Sequence, residues 1–325
     1  MSGAYEECLN AIPRDMRDAL VKFGHEAEEI VDAFLTTLEA APPPPILYHY
    51  TNDAGLRGIL ESGKLWLTDI LSLNDPSELR HGLSHAIAIL SGKAANGPPE
   101  SKLFAADFEE IIRLGRVQKS GDYFICSFSS AGDDLGQWRA YADNGRGYAL
   151  GFDASALEDA FIRQADAPIQ KAFPITYNDA RLIEIHRNII EQMFALISLP
   201  RGRKLGDEAV KGYMAELYTV MTVHALHAGL HFKHEAYANE REYRFMQVHP
   251  PGKQPLATKL RTRSYSSIRY QKFDWKDAGR NVLKNIVIGP AADIERAREF
   301  AKESLLLADQ EAVLTTCSRI PYRAS

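Results

Sequence analysis

The spacing of hydrophobic positions first indicates a helix and then a break. Between residues 1 and 40, apolar side chains recur every three or four positions among acidic ones, as in an amphipathic helix. They are Leu20, Phe23, Ala27, Ile30, Val31, Phe34 and Leu35. The run Pro42–Pro45 ends this pattern, because proline cannot continue a helix and favours an extended spacer. We therefore predict a helical arm and proline-rich spacer over residues 1–45 and a main domain over residues 46–325.

The main domain is predicted to open with a strand, a short helix and a second strand. Tyr48–Thr51 has the pattern of a buried strand that carries polar groups, and Ala54–Ser62 has the apolar spacing of a helix. Gly63 suits the C-cap of that helix, and Leu65–Thr68 is predicted to form the second strand. Asn74-Asp75-Pro76 then provides turn residues.

Farther along the chain, alternating and helical patterns follow one another without a regular order. Strands are predicted at Tyr123–Ser129, Gly147–Phe152, Ala172–Tyr177, Glu240–Val248, Ser264–Phe273, Lys284–Ile288 and Leu314–Ile320. Helices are predicted at His81–Ser91, Leu103–Val117, Leu135–Tyr141 and Ile294–Leu307, and a helical insertion at about 179–235. This irregular order favours an α+β fold over a doubly wound sheet.

Composition narrows the class of protein without naming a function. The chain has 45% hydrophobic and 25% charged residues and a net charge of −5, which argues against binding nucleic acid with its whole surface. A local basic patch stays compatible with this charge. Cys8, Cys126 and Cys317 are scattered and form no C-x-x-C pair, as expected in a reducing compartment. With no signal-peptide pattern and no membrane-length apolar run, we expect a soluble cytoplasmic protein.

Several familiar catalytic signatures do not occur. The sequence contains no G-x-x-x-x-G-K-[ST], no G-x-S-x-G and no H-E-x-x-H. Gly145, Gly147 and Gly151 are spaced like part of a dinucleotide fingerprint, but they precede a strand instead of joining a strand to a helix. A P-loop enzyme, an α/β-hydrolase and a zinc peptidase of the H-E-x-x-H type are therefore not indicated.

Four histidines near the end of the insertion resemble a metal-binding pattern. His224, His227, His231 and His234 would share one face of a continuous helix. A pair such as His227 and His231 could bind a transition metal if another element supplied ligands. The alternative is a polar seam of the inserted helix, because four histidines along one helix cannot surround a single ion. We expect no metal here.

The segment Asn239–Phe245 concentrates charged residues. In a strand, Glu240, Glu242 and Arg244 would share one face, where two carboxylates beside an arginine can stabilise a cationic transition state. The alternative is a surface strand with an ion network.

A basic stretch with interleaved aromatic residues contains Arg261, Arg263 and Arg269. This pattern is typical of nucleic-acid binding, and its alternative is a solvated strand and loop.

Short motifs in a fixed order resemble an uncharacterised bacterial domain family, a domain of unknown function sometimes found with abortive-infection and phage-defence genes. The resemblance covers about residues 46–323. Its motifs include Tyr48-His49-Tyr50-Thr51, Asn74-Asp75-Pro76-Ser77-Glu78, Cys126-Ser127-Phe128-Ser129, Trp138-x-x-Tyr141, Glu240-x-Glu242-x-Arg244 and Ile320-Pro321-Tyr322-Arg323. This family resemblance by itself implies no chemistry.

A more distant resemblance is to the His-Tyr-Glu ADP-ribosyltransferases. His49-Tyr50-Thr51 is similar to their H-G-[ST] opening, although Tyr50 replaces the usual small residue. Tyr123-Phe124 followed by Ser127 and Ser129 resembles their Y-F-A…S-x-S segment, and Glu240-Arg241-Glu242 resembles the E-x-E of ADP-ribosylating toxins. This resemblance implies an ADP-ribosyltransferase-like fold, with a mixed or antiparallel β core flanked by helices, and NAD as a substrate.

The roles that the resemblance implies follow the charge that develops when NAD is cleaved. Glu242 would stabilise an oxocarbenium-like ribose, and Glu240 would steer or deprotonate the acceptor. His49 and Thr51 would orient the dinucleotide, and Tyr123 or Tyr141 would stack on nicotinamide. The remaining expected binding residues are Tyr50, Ser127 and Ser129, with Asn74 and Asp75 either in the pocket wall or in a purely structural turn.

The functional hypothesis is thus a defence toxin or effector that transfers ADP-ribose to a nucleic acid or protein acceptor. A neutralising antitoxin is an expected partner, and neither a metal nor a membrane is expected. NAD hydrolysis in the same pocket and a non-catalytic nucleic-acid or nucleotide-binding module are the alternatives. The transferase hypothesis predicts that His49 and Glu242 lie on adjacent central strands and face one cleft.

Overall fold

A computed structural model describes residues 9–39, 41–72, 77–113, 121–164, 169–249, 258–263, 266–279 and 281–322. Its strands are β1 (Ile46–Thr51), β2 (Lys64–Asp69), β3 (Asp122–Ser129), β4 (Tyr148–Asp153), β5 (Ile169–Pro174), β6 (Glu242–His249), β7 (Lys259–Arg263), β8 (Ser266–Asp274), β9 (Leu283–Ile288) and β10 (Leu314–Cys317). Its α-helices are α1 (Arg14–Glu39), α2 (Asp53–Ser62), α3 (Ser77–Ala95), α4 (Pro99–Arg113), α5 (Leu135–Tyr141), α6 (Ala154–Arg163), α7 (Asp179–Phe194), α8 (Asp207–Gly229) and α9 (Ile294–Leu307). Within this described part, no helix is both long enough and apolar enough to cross a bilayer.

The strands form one mixed, mostly antiparallel sheet, which confirms the predicted α+β class. Their order is β10-β9-β4-β1-β3-β2-β8-β7, and β6 pairs with both β3 and β5. Among the described pairs, only β9 and β10 run parallel.

Strand β3 is where the sheet divides. Along one edge it pairs with β6 over its whole length, from Asp122 opposite His249 to Ser129 opposite Glu242. Along the other edge, β1 reaches only Ser129, and β2 pairs no farther than Ile125. In the described strands, the three residues between these contacts have no paired neighbour on that edge. A gap therefore opens in the sheet between β1 and β2.

Separate cores cover the two faces of the sheet. The first, which we term the helical core, packs α1, α3, α4, α7 and α8 against β3, β5 and β6. The second, the aromatic core, packs α2, α6 and α9 against the opposite face. Side chains alternate between them along β3, so that Tyr123 and Ile125 belong to the helical core and Phe124 and Cys126 to the aromatic core. Helix α1, which the sequence sets apart as an arm, is an integral part of the helical core.

Most predicted elements are present, and the departures occur where the chain bends. The predicted continuous helical insertion is broken by residues 195–206, and α8 ends at Gly229. His231 and His234 therefore do not lie on the helix, contrary to prediction. At this point α8 crosses α3 so closely that a Cβ on Gly82 would lie 2.9 Å from the Cα of Gly229.

The start of one predicted strand needs correction, and a neighbouring strand was not predicted. The strand predicted over Glu240–Val248 begins at Glu242, because Glu240 ends a 3₁₀ helix and Arg241 adopts a left-handed conformation with φ of 45°. The strand predicted over Ser264–Phe273 is confirmed from Ser266 onward as β8, and residues 264 and 265 lie outside the described residues. It pairs with β7, a strand that was not predicted.

Candidate functional site

The gap beside β3 opens into a cavity of about 240 Å³. Its polar wall is formed by His49 from β1, Ser127 from β3, Glu242 and Arg244 from β6, and the side chains of Lys233 and Glu240, which lie just before β6. Trp66 and Arg261 line it from the β2 and β7 side, and Gln137 and Tyr141 line it from α5. Elements far apart in the chain thus converge here because β3 pairs with β1, β2 and β6.

Glu242 lies at the centre of a buried ion cluster. Its Oε1 accepts from Ser127 Oγ at 2.7 Å and from Arg244 Nε at 2.6 Å. Its Oε2 has longer contacts, 3.2 Å from Arg244 Nη2 and 3.4 Å from Lys233 Nζ. The alternation of β6 against β3 explains this set, because Arg244 pairs with Ser127 and both side chains project to the same face as Glu242.

Opposite charges decide the protonation state of this carboxyl. Burial acts to raise the pKa of Glu242, but the charges of Arg244 and Lys233 outweigh it and lower the pKa to about 2. Glu242 is therefore ionised at neutral pH although only 6% of it is exposed. A buried ionised carboxylate interacts strongly with any positive charge that forms beside it, because the effective dielectric constant there is lower than in water.

Lys233 is a buried cation that links the two glutamates. Only 3% of it is exposed, and its Nζ donates to Glu240 Oε2 at 2.5 Å. The segment after α8 holds it in place, because the Lys233 amide donates to the carbonyl of Thr176 and Phe232 pairs with the same residue. Its position thus depends on a contact between distant segments.

Glu240 reaches the cavity from outside the strand that was predicted to carry it. It ends the 3₁₀ helix Glu235–Glu240, and Ser129 Oγ donates to its carbonyl at 2.6 Å. Tyr141 Oη donates to its carboxylate at 3.4 Å. The left-handed Arg241 turns the chain between the two glutamates, so both carboxylates line the cavity although they are not on one strand face.

The position of His49 corrects the expected strand arrangement. β3 lies between β1 and β6, so His49 and Glu242 are not on adjacent strands, but both line the cavity. His49 Nδ1–H donates to the carbonyl of Ser127 at 3.2 Å, and its ring meets Phe128 edge-on. Burial lowers the pKa of His49, so the neutral ring keeps Nε2 as an acceptor.

Other predicted binding residues have different surroundings. Tyr50 lines the cavity, but its hydroxyl donates to the carbonyl of Ala131 at 2.7 Å. Thr51 and Ser129 do not line it, and Ser129 instead holds the Glu240 backbone. Asn74 and Asp75 lie outside the described residues.

The structure does not place Tyr123 in the site. This residue lies at the opposite end of β3, where its side chain belongs to the helical core and burial raises its pKa to about 12. Of the two tyrosines predicted to stack on nicotinamide, only Tyr141 lines the cavity, with 39% of it exposed.

An aromatic and basic surface adjoins the cavity on the β2–β8–β7 side. Trp66 is 41% exposed, stacks at 4.5 Å on Tyr270, and has the Arg261 guanidinium 5.3 Å from its ring centre. Arg269, which was grouped with Arg261 as nucleic-acid binding, is instead ion-paired with Asp69 and Asp122. The side chain of Arg263 lies outside the described residues.

Sequence reasoning missed Lys233 and Trp66. Nothing in the local sequence distinguishes Lys233 from a surface lysine, because its position depends on the pairing of the segment after α8 with Thr176, which follows β5. Trp66 had a weak signal, since it is a large aromatic residue that faces outward on a strand next to buried Leu65 and Leu67.

Comparison with known proteins gave a family match that covers part of this region of the chain. Neither the curated proteins nor the solved structures gave a match. The matched segment runs from α5 into β6 and includes Lys233 and both cavity glutamates, but not β1 or β3. Over residues 137–245, the chain matches a family described as a protein of unknown function (DUF2971).

Proposed function

We propose that the protein is an ADP-ribosyltransferase-like enzyme that cleaves NAD in the cavity beside β3. The observation that carries the proposal is the convergence of His49, Ser127 and Glu242 at the gap in the sheet. These residues come from the three separate segments that resemble the His-Tyr-Glu transferases. The finer fold assignment, an ADP-ribosyltransferase-like core, is part of this proposal.

The size and charge of the cavity suit half of a dinucleotide. Its volume of about 240 Å³ is slightly below the roughly 300–1,000 Å³ typical of ligand pockets. The nicotinamide riboside half would lie inside, with the other half extending over Trp66 and Arg261. An indole can stack on adenine, and a guanidinium can pair with the pyrophosphate.

In the proposed reaction, the bond between ribose C1′ and the nicotinamide nitrogen breaks. The bonding electrons leave with nicotinamide, and positive charge develops on the ribose, as in glycoside cleavage. Ionised Glu242 would stabilise that charge, and its Oε2, whose contacts are the longer ones, would accept a ribose hydroxyl. Arg244 and Ser127 would hold Oε1 fixed, so the carboxylate would be oriented before the substrate arrives.

Glu240 would act on the acceptor of the ADP-ribose group. Its carboxylate forms an ion pair with Lys233 and accepts a hydrogen bond from the hydroxyl of Tyr141. The ring of Tyr141 is partly exposed. The acceptor nucleophile would form a bond to C1′ and pass its proton to Glu240. A nucleic acid or protein acceptor would make the enzyme a transferase, and water would make it an NAD glycohydrolase.

Nicotinamide release by the purified protein, measured with and without cell lysate as acceptor, tests the proposal. Glu242→Gln keeps the size of the side chain and removes its charge, so the rate should fall by about 100- to 1,000-fold. NAD binding should weaken much less, because the ground-state ribose carries less positive charge than the transition state. The matched control is Glu184→Gln, which changes an exposed ion-paired glutamate on α7.

The outcomes separate the alternatives. Release that requires lysate identifies a transferase, and release in buffer alone identifies a glycohydrolase. Because removal of one buried charge can unfold a protein, the melting temperature of each variant is measured alongside its activity. Ser127→Ala is a second variant, which changes no charged residue. Absence of release from the folded wild-type protein under both conditions would contradict the proposal.

A further inference from the structure

Two helices bring three side chains with metal-binding atoms together outside the cavity lining. His81 and His85 lie one turn apart on α3, and Asp179 is the first residue of α7. One ligand atom from each lies within 4.8 Å of the others. We propose that these residues bind a divalent transition-metal ion, with zinc as the probe cation. The proposal does not depend on the proposed NAD chemistry.

The distances are close to those of a coordinated ion. His81 Nε2 lies 3.0 Å from Asp179 Oδ1, and His85 Nε2 lies 3.6 Å from Asp179 Oδ2. Donor atoms about 2.0–2.2 Å from a tetrahedral zinc ion would be about 3.3 Å apart. To bind the ion, the three donor atoms would therefore have to move closer together, by no more than about 1.5 Å between any two of them.

The environment of His85 is a second observation that points to a ligand. Its Nε2 is shielded from solvent and has no hydrogen-bond partner within the described residues. The nearby Asp179 oxygen is too far away for a hydrogen bond. Buried polar atoms normally have partners, and a metal ion between His85 and Asp179 would satisfy this nitrogen.

His234 lies beside this group and would complete it as a fourth ligand if its side chain moved closer, because the donor atoms within 4.8 Å of one another come from the other three residues. Its ring centre lies 5.2 Å from that of His81, and its Nδ1 accepts from the amide of Ala236, which leaves Nε2 as the coordinating atom. The resulting set contains three imidazoles and one carboxylate. Such donors suit zinc, iron, cobalt or nickel better than calcium or magnesium, which prefer oxygen.

This arrangement replaces the histidine set considered from the sequence. His231, which the sequence groups with His234, instead uses Nδ1 to bond the carbonyl of His227. His234 comes close to α3 because α8 ends at Gly229. An ion at this site would tie α3 and α7 to the 3₁₀ helix that carries Glu240 into the cavity.

The test is zinc binding by the full chain. Metal-stripped wild-type protein is titrated with zinc in competition with a chromophoric chelator, and magnesium is the negative control. We expect one equivalent of zinc per chain and a zinc-dependent rise in melting temperature. Loss of a residue that only supports a metal ligand typically weakens metal binding by about 10- to 100-fold. His85 is proposed as a direct ligand, so His85→Ala should weaken zinc binding by at least about 100-fold. His25→Ala, at an exposed position of α1, should bind like the wild type.

Each outcome decides the proposal. His85→Ala removes a nitrogen that has no hydrogen bond, so the variant should stay folded, and circular dichroism checks this. Asp179→Asn is the second variant, which keeps the shape of the carboxylate and removes its charge. Wild-type protein that binds no zinc would refute the site, as would unchanged binding in both folded variants. A simple histidine–aspartate ion pair predicts a melting temperature that does not depend on zinc.

Discussion

Buried ionisable groups have different charge states in the cavity and in the helical core. In the cavity, Glu242 is almost fully buried and remains ionised because Arg244 and Lys233 lie beside it. In the helical core, His186 is equally buried, and burial lowers its pKa to about 4, so it is neutral at pH 7. Burial by itself favours the neutral form of an ionisable group, whereas a neighbouring opposite charge favours the ionised form. The difference separates a site prepared for charge from a packed interior.

The largest effect is expected from breaking the cavity ion cluster. Among the described residues, Arg244→Met leaves Glu242 with the more distant Lys233 as its remaining cation and should lower the free energy of unfolding by about 3–5 kcal/mol. The measurement is urea denaturation at neutral pH. Arg181→Met removes a solvent-exposed ion pair with Glu184 and should cost less than about 1 kcal/mol. Equal losses in the two variants would remove the contrast between buried and exposed pairs.

The buried neutral histidine and the buried ionised glutamate should affect stability in different pH ranges. The unfolded chain protonates His186 near its ordinary pKa of 6.5, before the folded protein does, so stability should fall as the pH drops from 6.5 to about 4. Glu242 has a depressed pKa, so its contribution is present above 4.5 and is lost as the pH falls towards about 2.

His186→Gln keeps a donor towards the carbonyl of Ala225 but cannot titrate. It should therefore remove roughly 2–4 kcal/mol of stability change from the upper window and leave the lower window in place. The measurement is a series of urea midpoints across both windows, with His25→Gln as the matched exposed control. An unchanged upper window would show that His186 does not contribute to the acid sensitivity.

The smallest effects concern the two tyrosines with the same predicted role. Tyr123→Phe changes a hydroxyl on the helical-core side and should leave nicotinamide release unchanged, with a stability change below about 1.5 kcal/mol. Tyr141→Ala removes a partly exposed cavity ring and should raise the KM for NAD, since stacking contributes about 1–3 kcal/mol per base. If Tyr123→Phe alone impaired release, the assignment of the site to the gap beside β3 would be wrong.

Local sequence predicted several short elements well. The short helix α2 begins where Asn52 accepts a hydrogen bond from the Gly55 amide, and it ends at left-handed Gly63. The helices at 135–141 and 294–307 have the predicted bounds. Their caps and apolar spacing depend on neighbours a few residues away, so these features can be recognised in one sequence.

Sequence also determined which residue types were available for chemistry, including the glutamates before and within β6 and the histidine of β1. It did not determine which of them would meet. The gap beside β3 arises from the registers of three strand pairings, and the left-handed Arg241 moves Glu240 off the strand. These decisions involve residues far apart in the chain, so no local pattern encodes them.

Tertiary structure alone decided the charge states and the groupings. Lys233 is buried because a segment after α8 pairs with the chain beyond β5, which brings its Nζ within reach of two carboxylates. The charges of Lys233 and Arg244 in turn keep Glu242 ionised. His234 lies beside His81 only because α8 ends where it crosses α3. Hydrophobic periodicity fixes which face of an element is buried, whereas the partners at that face depend on long-range packing, and those partners set the electrostatics of the site.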